Sequence, residues 1–237
     1  MTFLKDTWTP PTTYGYDDLQ PLMSLMTGDE KHGASATSTL DVLWVLYDRV
    51  LDVGPDSIED PYRDRFLLSK GHGPMAYYAV LAAKGFLPVD WLPTFGSFDS
   101  RLGHHPDRTL IPGVEISSGS LGHGLPLAVG TALGLRAQRV ESRVVCLVGD
   151  AELDEGSNAE AIAFAGAKGL DNLTVVVVDN DSASLGWRGG VEQRFAVEGW
   201  HAARVDGRDH AELEVALNQL TPGRPSVVVA VVEPKEG

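Results

Sequence analysis

The chain has 237 residues with 43% hydrophobic content, enough for one sizeable core, and we expect a single α/β domain. Its formal net charge of -14 repels a nucleic-acid backbone or an anionic membrane surface, so neither is an expected partner. The single cysteine, Cys146, excludes an internal disulfide, and the sequence has no apolar leader and no run of roughly 18 apolar residues, so we expect a cytoplasmic protein without a membrane span.

The first part of the chain begins with a polar arm and continues with helical signals. Residues 1–18 are rich in Pro, Thr and Tyr and predict an extended N-terminal arm, which leaves residues 19–237 for the folded domain. The spacing of apolar residues predicts a helix over 36–51 and a second over 74–84, with Pro74 at the first position of the second helix.

Two further segments of this half predict a strand and a long functional loop. The sequence DRFLLSKGHG at 64–73 indicates a short buried strand that ends in a glycine-flanked loop. Residues 92–120 lack any period and are rich in Gly, Pro, His and Ser. A connection of this length is unusual in a compact domain, so we expect it to carry function.

The second half alternates helices with strands that are rich in Val, Leu and Ile. Such strands are buried on both faces, which predicts a mostly parallel sheet with helices on either side. The predicted helices are 125–139, 155–168, 191–198 and 209–220. The predicted strands are VVCLVGD at 144–150, LTVVVVDN at 173–180, HAARVD at 201–206 and SVVVAVVE at 226–233.

Polar residues follow two of these strands, in GDAELDEG and VDNDSASLG. Asp150 comes directly after one strand, and Asn180 and Asp181 come after the next, so they should meet at the carboxyl edge of the sheet, where such folds bind ligands. Carboxylate, amide and carbonyl oxygens in that geometry suit Mg²⁺, which usually completes its shell with phosphate oxygens. On spacing alone, an alternative stays open: Asp150 and Asp154 could cap the following helix.

The order of GD at 149–150, EG at 155–156 and Asn180 with Asp181 resembles the thiamine diphosphate signature of the transketolase superfamily. Five other segments resemble transketolase in the same order: KHGAS at 31–35, RFLLSKGHG at 65–73, LGHHPD at 102–107, PGVEISSGSLGHGL at 112–125 and GWHAARVDGRDHAEL at 199–213. The resemblance covers nearly the whole chain after the arm, but only the N-terminal, pyrophosphate-binding half of a full transketolase. It implies a thiamine-diphosphate-binding fold, thiamine diphosphate and Mg²⁺ as cofactors, and the small subunit of a split transketolase.

The resemblance also implies which residues hold the cofactors. Asp150 and Asp181 match metal ligands that act through their side chains, and Ala183 matches one that acts through its backbone carbonyl. Gly119 and Leu121 match residues whose carbonyl and side chain meet the aminopyrimidine ring. The complete cofactor-binding set implied in this way is His72, Gly119, Ser120, Leu121, Gly149, Asp150, Ala151, Glu152, Asp181 and Ala183.

Three histidines and two glutamates are the catalytic residues that the resemblance implies. His32, His72 and His105 match histidines that line the donor channel and hydrogen-bond the hydroxyl groups of a sugar. Imidazole suits this chemistry, since making and breaking an alkoxide needs donors and a proton shuttle near neutral pH. Glu155 and Glu160 match acidic residues that link paired active sites and contact the glutamate that activates the cofactor.

The chain also departs from the family pattern. Ala151 replaces the second Gly of GDG and would be strained at a positive φ, and Asp181 adds a negative charge where Asn is usual. His123 stands where Gln is commoner. Glu152 and Asp154 are expected at the surface or in a helix cap.

These features together imply a subunit of a thiamine diphosphate- and Mg²⁺-dependent transketolase-like enzyme. It would move a two-carbon ketol unit from a ketose phosphate or 2-keto acid, together with a C-terminal-half partner subunit in an α2β2 assembly. One alternative is a relative of the pyruvate dehydrogenase E1 component that passes the unit to a lipoyl or carrier-protein thiol. A second alternative, motivated by Ala151 and Asp181, is a degenerate regulatory subunit that has lost cofactor binding.

Overall fold

A computed structural model describes residues 14–27, 37–71 and 73–234 of the chain. In this part of the chain, five strands form one parallel sheet in the order β1-β2-β3-β5-β4. The strands are β1 (Arg65–Leu68), β2 (Val144–Gly149), β3 (Leu173–Asp179), β4 (His201–Asp206) and β5 (Ser226–Val231). The α-helices are α1 (Leu19–Met23), α2 (Leu40–Val45), α3 (Met75–Ala83), α4 (Gly124–Gln138), α5 (Gly156–Lys168), α6 (Val191–Ala196) and α7 (His210–Asn218).

Helices cover both faces of the sheet. Successive side chains of a strand point to opposite faces, so Val145 and Leu147 pack against α1, α2, α3 and α7. Cys146 and Val148 pack against α4, α5 and α6 on the other face. The predicted parallel α/β fold with helices on both faces is therefore confirmed. Within the described residues, no helix has the length and apolar character needed to cross a membrane.

Three details of the fold differ from the sequence expectations. β4 lies at one edge of the sheet, and its residues are half-buried or exposed, so the expectation of burial on both faces is wrong for this strand. Pro74 is the N-cap of α3 and not its first helical residue. In the described part of the helix predicted over 36–51, α2 is followed by a π-helical turn over Leu46–Val50 and does not continue as α-helix.

The predicted N-terminal arm falls largely outside the described residues, because the structure begins at Tyr14. The end of the arm, Tyr16–Asp18, is a short 3₁₀-helix that leads directly into α1. The ring of Tyr16 makes edge contacts with Trp44 and His210. The boundary between arm and domain stays a prediction.

The register of the two central strands brings their carboxyl ends together. Gly149 of β2 pairs with Val178 of β3. The next backbone N–H, that of Asp150, donates to the carbonyl of Val178 at 3.1 Å. The residues that follow β2 and β3 therefore leave the sheet side by side.

Candidate functional site

Asp150 lies at the carboxyl end of β2 with only 1% of its surface exposed. Its Oδ2 accepts hydrogen bonds from the backbone N–H groups of Ser182 and Ala183, at 2.6 and 3.0 Å. The Ser182 hydroxyl lies 2.7 Å from Oδ1 of Asp150 and also 2.7 Å from Oδ1 of Asn180. A hydroxyl has one proton, so only one of these two oxygens can accept it. The ends of β2 and β3 thus bring together more hydrogen-bond acceptor oxygens than the nearby N–H and O–H donors can satisfy.

The carboxylate of Asp150 has no ion-pair partner among residues 14–27, 37–71 and 73–234. A buried charge is costly unless it is paired or bound to a metal. An Mg²⁺ ion prefers oxygen ligands, so it would neutralise the carboxylate of Asp150 and bind the surplus acceptor oxygens. In the described part of the chain no three His, Cys, Asp or Glu side chains converge on one point, so a cation here would also need amide and backbone oxygens.

The helix-capping alternative for the acidic cluster is wrong. Asp150 makes no side-chain cap to the 3₁₀-helix Ala151–Asp154, and α5 begins after Glu155 with no side-chain cap. Asp154 instead turns toward the loop after β3, where its Oδ2 accepts from the backbone and hydroxyl of Ser184 at 2.9 and 2.7 Å. Burial acts to raise the pKa of Asp154, but these bonds hold it below its ordinary value. The two aspartates therefore fix the loop after β3, and neither serves α5.

The two other predicted metal ligands lie on this same loop. Asp181 and Ala183 share with Asp150 a cleft of about 230 Å³. Asp181 is exposed and has a φ of 55°, a conformation that Asp and Asn adopt more readily than other side chains. Asn180 is buried beside Asp150. The sequence predicted that Asn180 lies at this edge, but the resemblance assigned the metal to Asp181 and not to Asn180.

Glu152 is buried, which corrects its expected place at the surface or in a helix cap. It is 3% exposed, and its Oε1 accepts from the Ser69 hydroxyl and from the backbone N–H of Gly122 at 2.9 Å. Burial raises the pKa of this carboxyl above its ordinary value. Its second oxygen, Oε2, is buried without a hydrogen-bond partner in the described structure. Ser69 also accepts the backbone N–H of Gly124 at 3.0 Å, so Glu152 joins the ends of β1 and β2 to the start of α4.

The glycine-rich loop before α4 is fastened to the end of β1. The Ser118 hydroxyl donates to the carbonyl of Leu68 at 2.5 Å. Gly119 has a φ of 124° and packs so closely on His105 that an added Cβ would lie 3.1 Å from the imidazole ring. A Cβ on Gly71 would lie 2.8 Å from the backbone nitrogen of Gly119. The structure thus brings the predicted residues Gly119 and His105 together beside the β1 loop.

The other two histidines of the predicted site are His32 and His72. His32 and His72 lie outside the described residues, although Gly71, the neighbour of His72, adjoins Gly119. Of the predicted loop residues, Ser120 and Leu121 are exposed.

The predicted glutamates and the GDA segment lie near the same edge. Glu155 and Glu160 are exposed at the start of α5 and in its first turns, so their contact with a neighbouring subunit stays a prediction. The aliphatic part of the Lys70 side chain packs on Gly149, and a Cβ added at Gly149 would lie 3.4 Å from it. Ala151 begins a 3₁₀-helix and is absent from the described residues with positive φ, so Ala in place of Gly strains no backbone here.

The comparison with domain families gives one match that spans most of the chain. The family described as "Transketolase, thiamine diphosphate binding domain" matches residues 24–232. Among individual proteins, one subunit of the apulose-4-phosphate transketolase of Actinobacillus succinogenes is 37% identical over 206 residues, which are 84% of this chain and 75% of that protein.

Two further comparisons extend the match. A protein of Rhodococcoides fascians named Ferredoxin fas2 is 59% identical over 223 residues, which are 94% of this chain and 73% of that protein. Iron–sulfur clusters need several cysteine ligands, and Cys146 is the only cysteine in this sequence. The transketolase from Leishmania mexicana has the same fold with a TM-score of 0.79 and 28% identity, covering 93% of this chain and 37% of that one. The chain therefore spans little more than a third of that transketolase.

Proposed function

Because the chain belongs to the transketolase family, within its thiamine diphosphate binding domain, we propose that it is the N-terminal subunit of a split, thiamine diphosphate- and Mg²⁺-dependent transketolase-like enzyme. The enzyme would transfer a two-carbon ketol unit from a ketose phosphate or 2-keto acid. The observation that carries the proposal is Asp150, a buried carboxylate at the sheet edge with no cationic partner in the described chain.

Asp150 and Asn180 are the side chains best placed to hold Mg²⁺. Both are buried, and their oxygens meet at the Ser182 hydroxyl. Asp181 and the carbonyl of Ala183 would complete the protein ligands, since they line the same cleft. This refines the set predicted from sequence by adding the amide of Asn180 to the carboxylate of Asp181.

The glycine-rich loop is proposed to receive the organic part of the cofactor. Gly119 leaves room for a flat ring to approach the backbone, and the exposed side chain of Leu121 offers an apolar surface beside it. His105 would hydrogen-bond the hydroxyl groups of the donor sugar, together with His32 and His72. When bound, thiamine diphosphate supplies the electron sink needed to break a carbon–carbon bond next to a carbonyl group.

A separate partner chain is the second part of the proposal. The A. succinogenes relative is named as one subunit of its transketolase, which supports a split enzyme. An exposed face of α4 and α5 gives physical support, because Leu127 and Phe164 are 46% and 43% exposed there. On the same stretch of α4, a Cβ on Gly130 would meet nothing within 4 Å. Glycine inside a helix costs about 0.5–1 kcal/mol relative to Ala, so close approach of a second chain would explain it. We propose that this face is covered by a C-terminal-half subunit in an α2β2 assembly. Glu155 and Glu160 of this chain would then face the cofactor-activating glutamate of that subunit.

The alternatives from the sequence gain no support from these observations. The relatives named above give no reason to prefer a lipoyl or carrier-protein acceptor. The unstrained backbone of Ala151 removes one of the two motives for a regulatory subunit that cannot bind the cofactor.

The decisive experiment is calorimetric titration of thiamine diphosphate, with and without Mg²⁺, into the chain mixed with its C-terminal-half partner. Asp150→Asn keeps the size of the side chain and removes its charge. We expect it to weaken Mg²⁺-dependent binding by at least about 100-fold, since loss of even an outer partner of a metal ligand costs roughly 10–100-fold.

Asp171→Asn is the matched control, because Asp171 precedes β3 at the opposite end of the sheet and is paired with Arg136 at 2.8 Å. We expect this variant to bind within about threefold of the wild type, a difference of less than 1 kcal/mol. Absence of binding at millimolar cofactor in the wild-type complex would refute the enzyme. Sedimentation of the same mixtures tests the assembly, and turnover of a ketose phosphate against pyruvate tests the donor.

A further inference from the structure

Trp187 lies in the cleft that Asp150, Asp181 and Ala183 line, on the loop between β3 and α6. Its indole Nε1 is buried and has no hydrogen-bond partner in the described part of the chain. An indole N–H can only donate. A buried donor that has lost water without gaining an acceptor is destabilising, so this N–H needs a partner that the described residues do not supply.

The ring of Trp187 is held in place although its N–H is unpaired. The guanidinium of Arg194 lies over the ring, 4.9 Å from its centroid. The ring also packs against the apolar cluster that contains Val191 and Phe195. The carbonyl of Trp187 accepts the backbone N–H of Gly190 at 3.1 Å, which joins the loop to the start of α6. These contacts hold the ring at the cleft, so the acceptor has to come from outside this set of residues.

The described lining of the cleft contains no spare cation. Its acidic residues are Asp150, Asp179, Asp181 and Glu192. Arg204, which also lines the cleft, is paired with Asp179 and Glu192 at 2.9 and 3.0 Å. An anionic group that enters the cleft together with Mg²⁺ therefore needs neutral donors, and the N–H of Trp187 is a donor of this kind.

The backbone on either side of Trp187 is rich in glycine. A Cβ on Gly186 would meet nothing within 4 Å, so open space lies beside the backbone just before the tryptophan. Gly189 and Gly190 follow it with φ values of 84° and 91°, a region that glycine enters without a steric penalty. The loop therefore has the space and the backbone freedom to adjust around a bound group.

We propose that Trp187 is a cofactor-binding residue whose indole N–H donates a hydrogen bond to an oxygen of the cofactor's diphosphate group. The diphosphate matches this cleft, because Mg²⁺ beside Asp150 would offset its charge and its oxygens accept hydrogen bonds. A shift of the glycine-flanked loop brings the covered N–H to that oxygen. The identity of the acceptor rests on the proposed function, whereas the unpaired state of the N–H in the free chain does not.

Two substitutions separate the N–H from the ring. Trp187→Phe removes the N–H together with part of the ring. Benzothienylalanine at position 187, introduced as a noncanonical amino acid, keeps two fused rings and has sulfur in place of the N–H. Trp91→Phe is the matched control, because Trp91 is also half-buried with an arginine, Arg101, over its ring at 4.5 Å, but it does not line this cleft.

The first test measures the stability of the chain alone and needs no cofactor. We expect the benzothienylalanine variant to have a urea midpoint equal to or above that of the wild type, because it removes an unpaired buried donor and keeps the packing. Trp187→Phe should have a lower midpoint, because it also loses packing. A midpoint of the benzothienylalanine variant well below the wild type would mean that the N–H already has a partner, such as an ordered water, and would overturn the proposal.

The second test follows the indole N–H in the complex with the C-terminal-half partner. With ¹⁵N-labelled tryptophan in this chain alone, its five tryptophans give at most five indole signals, and the signal of Trp187 is the one that Trp187→Phe lacks. We expect thiamine diphosphate with Mg²⁺ to move that signal downfield, as a new hydrogen bond does. In calorimetry we expect the dissociation constant to rise about 10-fold or more in both variants at position 187, and less than about twofold in Trp91→Phe.

The outcomes separate this hydrogen bond from the function on which it rests. If the wild-type complex binds the cofactor but the Trp187 signal does not move, or the benzothienylalanine variant binds as tightly as the wild type, the hydrogen bond is refuted and the proposed function stands. If the wild-type complex binds no thiamine diphosphate at millimolar concentration, the proposed function fails and the diphosphate contact with it, while the urea midpoints still decide whether the N–H is unpaired.

Discussion

The two ends of the sheet each bury an aspartate, and the two are treated differently. At the amino end, Asp64 is 6% exposed and pairs with the guanidinium of Arg143 at 3.3 Å, while it also accepts backbone N–H groups from Asp52 and Arg143. At the carboxyl end, Asp150 is 1% exposed and, within the described residues, accepts only neutral N–H and O–H donors. The fold therefore neutralises Asp64 from within, whereas the charge of Asp150 has no cationic partner in the described residues, as the proposed Mg²⁺ site requires.

The carboxylates of Asp64 and Asp171 near the amino end are paired, whereas those near the carboxyl end are divided, because Asp179 pairs with Arg204 while Asp150 and Asp154 have no cationic partner among the described residues. At the amino end, Arg136 pairs with Asp171 at 2.8 Å and also donates to the carbonyls of Lys168 and Gly169. At the carboxyl end, the bonds that Asp154 accepts in the described part of the chain come only from Ser184 and Leu185. Paired carboxylates are neutralised within the fold, whereas the unpaired ones at the carboxyl end are the groups that the proposed Mg²⁺ site would use.

The largest effect is expected from Asp64→Ala. It leaves Arg143 and two backbone N–H groups without their acceptor, and breaking a buried ion pair costs about 3 kcal/mol or more. Asp150→Ala should cost only about 1 kcal/mol in the chain alone, because no cation loses its partner and the loop donors can reach water. Urea denaturation of both variants measures the difference. Equal losses would mean that Asp150 is a structural residue like Asp64.

Glu152→Gln tests another buried carboxyl by the pH dependence of stability. Burial raises the pKa of Glu152 above its ordinary value of 4.5, so its contribution to stability is complete below pH 4.5 and is lost as the pH rises through the raised pKa. Gln does not titrate. Between pH 4.5 and 7 the stability of the variant relative to wild type should therefore increase, by about 1 kcal/mol or less, the scale of a single polar substitution. Urea midpoints at several pH values measure this change, and a relative stability that falls over the same range would show that the ionised carboxyl is the favoured form in the fold.

The sequence was sufficient to predict the sheet and the meeting of its strand ends, because both follow from local apolar runs and their spacing. The burial of Glu152 could not be predicted, since its partner Ser69 is 83 positions away and the carboxyl is enclosed only after β1 and β2 pair. The absence of a positive φ at Ala151 could not be predicted either, because it depends on how the chain turns after β2. The exposure of β4 was legible in HAARVD, which lacks the continuous apolar run of its neighbours, but its place at the sheet edge depends on the order of the strands. Asn180 was legible too, as the first residue after β3, yet its burial and the shared Ser182 hydroxyl are tertiary features.

The smallest effect is expected from Arg204→Ala, which removes a cation at the carboxyl end. Arg204 pairs with Asp179 and Glu192 at 2.9 and 3.0 Å, but it is 42% exposed, so solvent screens both pairs. We expect a loss of about 0.5 kcal/mol that shrinks further in roughly 0.5 M NaCl, as for other exposed ion pairs. Urea denaturation at low and high salt gives both values. A loss above about 2 kcal/mol that is insensitive to salt would show that the carboxyl end is held by an internal ion pair as the amino end is, and the division between a neutralised end and an end that awaits a cation would no longer hold.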